Sequence, residues 1–173
     1  MISVWEKETF YSPQDIIIVG SGFVGLWSAF YLKKRNPKLK ITIVDRGIIP
    51  TGASTRNAGF ACFGSLTELL ADEQRTGTDK MLELVDMRFK GLEKIRKNFS
   101  KKEIDIDMCG GYELFTKKED RLSEDLEMQI EYLNDLLKPI VKKKTFGLAD
   151  KKISTLGFKN ITLLIRNNLE GYL

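Results

Sequence analysis

Residues 16–25 read Ile-Ile-Ile-Val-Gly-Ser-Gly-Phe-Val-Gly, and this stretch decides the fold. Ile16-Ile17-Ile18-Val19 is an unbroken β-branched run, the pattern of a buried strand. Gly20-Ser21-Gly22 interrupts it as a turn. Phe23 to Arg35 then reads as a helix, with Lys33, Lys34 and Arg35 in its last turn and Pro37 soon after. The cations complement the helix dipole and the proline marks the end. Leu39 to Asp45 (Leu-Lys-Ile-Thr-Ile-Val-Asp) alternates apolar and polar residues and predicts a second strand. Strand, helix and strand within about 30 residues predict a right-handed βαβ unit with parallel strands.

Gly20, Gly22 and Gly25 stand in the spacing GxGxxG. The spacing alone is weak. Here it follows a strand, opens a helix, and is followed 20 residues after Gly25 by an acid, Asp45, at the end of the next strand. In that context it is a dinucleotide-binding fingerprint. Gly20 permits the tight turn, Gly22 lets the backbone approach a pyrophosphate, and Gly25 lets the helix lie close to the strand, with Ala29 a turn later. The free amides of Phe23 and Val24 face the anion at the positive end of the helix dipole. Asp45 accepts hydrogen bonds from ribose hydroxyls.

The rest of the composition narrows the chemistry. The chain has 173 residues, 42% hydrophobic and 30% charged, which is globular composition. At that length folding hides roughly 70% of the extended-chain surface. The net charge of +4 has both signs interspersed, so nucleic acid is not an expected partner. With no histidine there is no Ser-His-Asp triad, no Cys-His pair and no His-ligated zinc. Cys62 and Cys109 are the only cysteines, which excludes a disulfide framework and a zinc ribbon; no metal site is expected. Two lone thiols suit a reducing cytoplasm. Chemistry in the neutral range is therefore expected from a bound cofactor. Residues 1–15 hold three acids and one lysine, unlike a secretory signal. Ile16 to Leu32 is 17 residues without a charge, but its glycines and its β-branched start read as strand and helix, so no transmembrane segment is expected.

Ser65-Leu66-Thr67-Glu68 fits a capping box opening a short helix. From Asp79 to Phe99, apolar residues at 82, 85, 89, 92, 95 and 99 form a core-facing helical stripe. Ile104, Ile106 and Met108 alternate with acids, Gly110-Gly111 follows, and Tyr112-Glu113-Leu114-Phe115 resumes, which predicts a β-hairpin. Glu119 to Leu137 predicts another amphipathic helix, stopped by Pro139. Lys142-Lys143-Lys144 reads as a solvated surface. Ile161 to Ile165 predicts a late strand. The change from parallel to hairpin-type patterning places a domain boundary near residue 100.

Residues 46–64 form a long loop rich in small polar residues, and structureless loops of this length are usually functional. Ser54, Thr55 and Asn57 offer short polar side chains, Gly52 and Gly59 allow close backbone approach, and Arg56 offers a cation to phosphate or substrate. At this point the chain resembles a known family. VGSGFVGLWSAFYL (19–32), VDRG (44–47) and PTGASTRNAGFACFGS (50–65) are similar to the N-terminal part of the D-amino-acid oxidase and glycine oxidase superfamily of FAD-dependent oxidoreductases. SVWEKETF (3–10) and GGYELF (110–115) bring it closer to the bacterial, gamma-glutamylputrescine oxidoreductase-like branch.

The resemblance implies a Rossmann-like FAD-binding βαβ domain followed by the start of an α+β substrate domain with antiparallel strands. It places the N-terminal part of the FAD-binding domain at 1–100 and the beginning of the substrate-binding domain at 101–173. It assigns the FAD pyrophosphate to Gly20, Gly22, Phe23, Val24 and Gly25, and the adenosine ribose to Asp45, with Arg46 beside it. Ser54, Thr55, Arg56, Asn57, Gly59 and Phe60 run along the pyrophosphate towards the flavin. The implied reaction is oxidation of the carbon next to an amine, in an amino acid or polyamine-type substrate, by hydride transfer to flavin. Such enzymes are about twice this size, so the resemblance implies an incomplete enzyme with a complementary C-terminal half as a partner, weak or inactive alone. No catalytic residue is assigned: Arg56 and Tyr112 are readable as a polar loop residue and a strand aromatic, and Cys62 as a small buried hydrophobe. A non-catalytic nucleotide-binding or interaction module and a nicotinamide-dependent dehydrogenase fragment are the alternatives.

Overall fold

Ile16–Val19 (β1) and Ile41–Val44 (β2) pair in parallel, Ile16 opposite Ile41 and Val19 opposite Val44. Phe23–Arg35 (α2) connects them. Backbone bonds to Lys40 from Asp15 (2.9 Å) and Ile16 (3.2 Å) set the register at one end, and Gly20 N–H donates to the Val44 carbonyl (2.7 Å) at the other. Before this unit a single helical turn and a half, Val4–Glu8 (α1), is closed by a full capping box between Ser3 and Glu6. On α2, Trp27 stacks on Tyr31 at 5.5 Å and meets Phe30 edge-on at 5.4 Å. Among the described residues no helix is long and apolar enough to cross a membrane.

This computed structural model describes residues 1–116, 125–149, 161–169 and 171–172. They divide into two compact units, Met1–Ala58 and Gly59–Leu173.

The second unit holds Phe60–Ala61 (β3), Leu66–Thr76 (α3), Thr78–Asn98 (α4), Gly111–Thr116 (β4), Leu126–Val141 (α5), Phe146–Leu148 (β5), Ile161–Asn167 (β6) and Gly171–Tyr172 (β7). β6 lies between β4 and β5 in an antiparallel three-stranded sheet, and β3 pairs antiparallel with β7. The core lies between the helices and this sheet: Phe63, Leu69, Met81, Val85, Leu133 and Leu137 are buried with Phe146 and Ile165. Asn134 ties α5 to β5, accepting from the Thr145 and Phe146 amides and donating to the Phe146 carbonyl, each at 2.9 Å. The Tyr132 hydroxyl reaches from α5 to Glu73 of α3 at 2.6 Å. That contact favours the neutral phenol and raises its pKa.

Several expectations are corrected. The hairpin does not form: residues 101–105 are turns, and β4 pairs with β6. The Ser100 hydroxyl and amide bind the Glu103 carboxylate at 2.6 and 2.7 Å, which curls the chain there. The alternation of Ile104, Ile106 and Met108 reflects packing on Ala61 and Leu92 rather than strand pairing. Pro139 does not stop α5, which runs to Val141 and ends on Lys142 in the left-handed region (φ 58°). Buried Leu137 and Val141 hold that last turn in place. Residues 119–124 of the expected helix lie outside the described residues. Half of the Ser65 capping box is present: Ser65 Oγ accepts from the Glu68 amide, while the Glu68 carboxylate pairs with Arg88 at 3.2 Å. Cys62 is exposed, not a buried hydrophobe.

Candidate functional site

The glycine loop of the first unit is shaped by two glycines that nothing else replaces. Gly20 has φ +100°, a region that side chains of L-residues rarely adopt. A Cβ on Gly25 would collide with the Gly20 carbonyl oxygen and crowd Ile18 Cγ2 at 3.2 Å, so α2 approaches β1 only because Gly25 has none. Gly22 caps α2 in extended conformation and contributes no side-chain hydrogen bond, and the first turn carries no acid. Its leading amides therefore point out of the helix without a partner from their own turn.

Two side chains from the segment after β2 cross to this loop. Asp45 Oδ2 accepts from the Ser21 amide at 2.9 Å and from the Ser21 hydroxyl at 2.7 Å, and Oδ1 accepts from the Gly47 amide at 3.3 Å. The Ser21 amide, then its hydroxyl, then Gly47 stabilise the charged carboxylate and bring its pKa down to about 2. Ser54 Oγ accepts from the Phe23 amide at 3.0 Å. Ser54 sits in a short 3-10 turn, Ala53–Thr55. The turn is braced by Thr55 Oγ1, which donates to the Pro50 and Gly52 carbonyls at 2.9 and 3.1 Å, and by Asn57 Nδ2, which donates to the Ser54 carbonyl at 2.9 Å.

Beyond the carboxyl ends of β1 and β2 these elements enclose a cavity of about 530 Å³. Gly20, Gly22, Asp45, Arg46 and Ser54 line it, all singled out from the sequence. Val19, Val44, Pro50 and Thr51 also line it and were not among the candidates. The signal for them was available: in parallel α/β sheets, ligands bind beyond the carboxyl ends of the strands, where Val19 and Val44 stand. Phe23, Val24 and Gly25 form the first turn of α2 beside the cavity. Thr55 and Asn57 are not among its lining residues; they hold the loop that presents Ser54. Arg56 follows the 3-10 turn as its cap. Gly59 and Phe60 belong to the second unit, where Phe60 pairs with Tyr172.

In the second unit Tyr112 lies against the Arg166 guanidinium at 5.9 Å, the environment of a strand aromatic on a sheet surface. Glu113 closes the start of α3, accepting from Ser65 Oγ at 3.3 Å, from the Thr67 amide at 3.4 Å, and from Thr67 Oγ1. Among the described residues no group of three or more His, Cys, Asp or Glu side chains is arranged to hold a metal.

The chain is 32% identical to a gamma-glutamylputrescine oxidoreductase of Escherichia coli over 117 residues, covering 68% of this chain and 27% of that enzyme. It is 27% identical to a probable oxidoreductase, OrdL, of Haemophilus influenzae over 117 residues, 68% of this chain and 27% of that protein. A shorter stretch of 44 residues is 43% identical to a thiamine thiazole synthase of Schizosaccharomyces pombe, 25% of this chain and 13% of the synthase. The chain thus covers between 13% and 27% of the length of these relatives. Residues 15–153 match the family model described as DAO, FAD dependent oxidoreductase, from just before β1 to beyond β5. The chain belongs to this family of FAD-dependent oxidoreductases.

Proposed function

We propose that this chain supplies the pyrophosphate- and ribose-binding part of a flavoenzyme that oxidises the carbon next to an amine in an amino acid or polyamine-type substrate. The observation that carries the reading is the Gly20–Gly25 loop, which turns β1 into the open amide end of α2 with Asp45 facing it from the end of β2. The match to an Escherichia coli gamma-glutamylputrescine oxidoreductase supports the amine class.

The residues present fit the adenosine and phosphate end of FAD. Gly20 and Gly25 keep the loop low and close to the helix, and of the first-turn amides of α2 that of Phe23 carries the Ser54 hydroxyl. Those amides and the helix dipole hold the pyrophosphate. Asp45, ionised throughout the neutral range, offers Oδ1 to a ribose hydroxyl, since the bond it accepts from the Gly47 amide is long, at 3.3 Å. Arg46 lines the cavity beside it, at the ribose end. Thr55, Arg56 and Asn57 continue the path towards the flavin. When bound, the flavin accepts the hydride from the amine-bearing carbon; the residues of this chain bind and orient.

On this reading residues 1–100 contribute the Rossmann-like FAD-binding part and 101–173 begin the substrate-binding part, in a protein of the cytoplasm. Further polypeptide completes the sheet and the flavin pocket. What supports the last point is the first unit's parallel sheet: Ile17 is 62% and Val19 86% exposed, whereas parallel strands are ordinarily covered on both faces.

FAD titrated into the purified chain, followed by desalting and an absorption spectrum, tests the site. Gly22→Val should abolish binding with little loss of stability, because its side chain points at the exposed Ser54 hydroxyl and the phosphate position rather than into a core. A Gly22→Val protein that binds FAD as tightly as the parent sinks the placement.

A further inference from the structure

We propose that Ser54 is a latch on the phosphate-facing end of α2: its hydroxyl holds the Phe23 amide that a pyrophosphate takes, and the dinucleotide must displace it. The inference rests on reading this loop as a dinucleotide-phosphate site.

Phe23 is the first residue of α2, and its amide is among those the helix leaves without an internal partner. Where the residue before the first turn is Ser, Thr, Asp or Asn, its own side chain caps the second or third of these amides. Gly22 has none. The cap comes instead from Ser54, 31 residues along the chain, at 3.0 Å. Asp45 holds the neighbouring Ser21 amide in the same way. Two amides of the loop are therefore satisfied by the segment after β2, with no ligand needed.

The two contacts differ in what a phosphate can do to them. The Asp45 bond is charge-assisted, and a phosphate would approach it against a like charge. The Ser54 bond is neutral on both sides, exposed, and released by one rotation about χ1, while Thr55 and Asn57 keep the backbone of the turn in place. A phosphate oxygen offers the Phe23 amide a stronger, charge-assisted acceptor and wins the exchange. Ser54 thus sets a threshold for binding, and between ligands it keeps the helix end capped.

The test uses ADP as the probe, titrated calorimetrically into the full chain and its Ser54→Ala variant. The latch predicts binding tightened about two- to tenfold in the variant, because a net neutral hydrogen bond no longer competes. Without ligand, the Phe23 amide resonance should move in the variant while the circular dichroism stays that of the parent. Weaker or unchanged ADP affinity in Ser54→Ala overturns the latch and makes Ser54 a ligand contact or a bystander. If neither protein binds ADP or FAD, the dinucleotide reading itself fails and the latch falls with it. Binding by the parent that is lost in Gly22→Val separates the two cases.

Discussion

At pH 7 the Asp45 carboxylate is an acceptor shared between Ser21 and Gly47, and that sharing makes it titrate unusually low. The Ser21 amide and hydroxyl bring its pKa from the ordinary 3.8 to about 2, which fixes the sign of its pH dependence. A group whose folded pKa is depressed stabilises the fold fully above its unfolded value and loses that contribution as the pH falls through the folded one. The Ser21 contact should therefore be intact from pH 7 down to about 4 and be lost around pH 2. The Ser21 amide shift, followed by NMR, should show a midpoint near 2. A midpoint at the ordinary carboxylate value would mean that the carboxylate does not rest on Ser21 in solution. The glycine loop and Asp45 were both legible in the sequence, because the fingerprint is local and its spacing is tied to one turn and one strand. The Ser54 contact was not. Nothing in the residues 53–57 states which amide, 31 positions earlier, a serine hydroxyl will meet.

Among the elements, α5 tests how far packing overrides local preference. Pro139 lies inside its last turn, where the ring removes the bond its amide would give to the Asp135 carbonyl. Burial of Leu133, Leu137 and Val141 on the core outweighs that loss and carries the helix past the proline. Pro139→Ala restores the donor, and should raise the stability of the second unit by roughly 1 kcal/mol once the added freedom of the unfolded chain is subtracted. Chemical denaturation monitored by circular dichroism reads this directly, and a fall in stability would show that the ring packs better than the bond it displaces. The bounds of β1 and α2 were readable to the residue, since a β-branched run, a glycine turn and a basic helix end are all local signals. β5 and the β3–β7 pair were not, because strands of two or three residues carry no periodicity. The hairpin expectation failed for a related reason. β4 is a strand as expected, but its partner is β6, some 50 residues on, and alternation does not name a partner. By contrast α1 went unread although Ser3-Val4-Trp5-Glu6 carries the capping-box spacing.

For the whole molecule, the unequal cores of the two units matter most. Every buried apolar side chain among the described residues, from Ala61 to Ile165, belongs to Gly59–Leu173, while α1 and α2 bury none. The first unit is thus held by its glycine loop, its backbone ladder and the contacts of Asp45 and Ser54, and it gains most from a ligand that binds only its folded form. The chain's two tryptophans, Trp5 and Trp27, both fall in this unit, and Trp27 rests on Tyr31 of the helix that opens at the candidate phosphate site. Tryptophan emission is therefore a natural optical label for the first unit alone, whereas the far-ultraviolet dichroism comes mainly from α3, α4 and α5. In urea the emission should change at lower denaturant than the dichroism, and FAD should draw the two curves together. Coincident curves without FAD would show that the units unfold as one. No dye, tag or mutation is needed for the experiment: the placement of two indole rings already lets light follow the first unit separately from the rest.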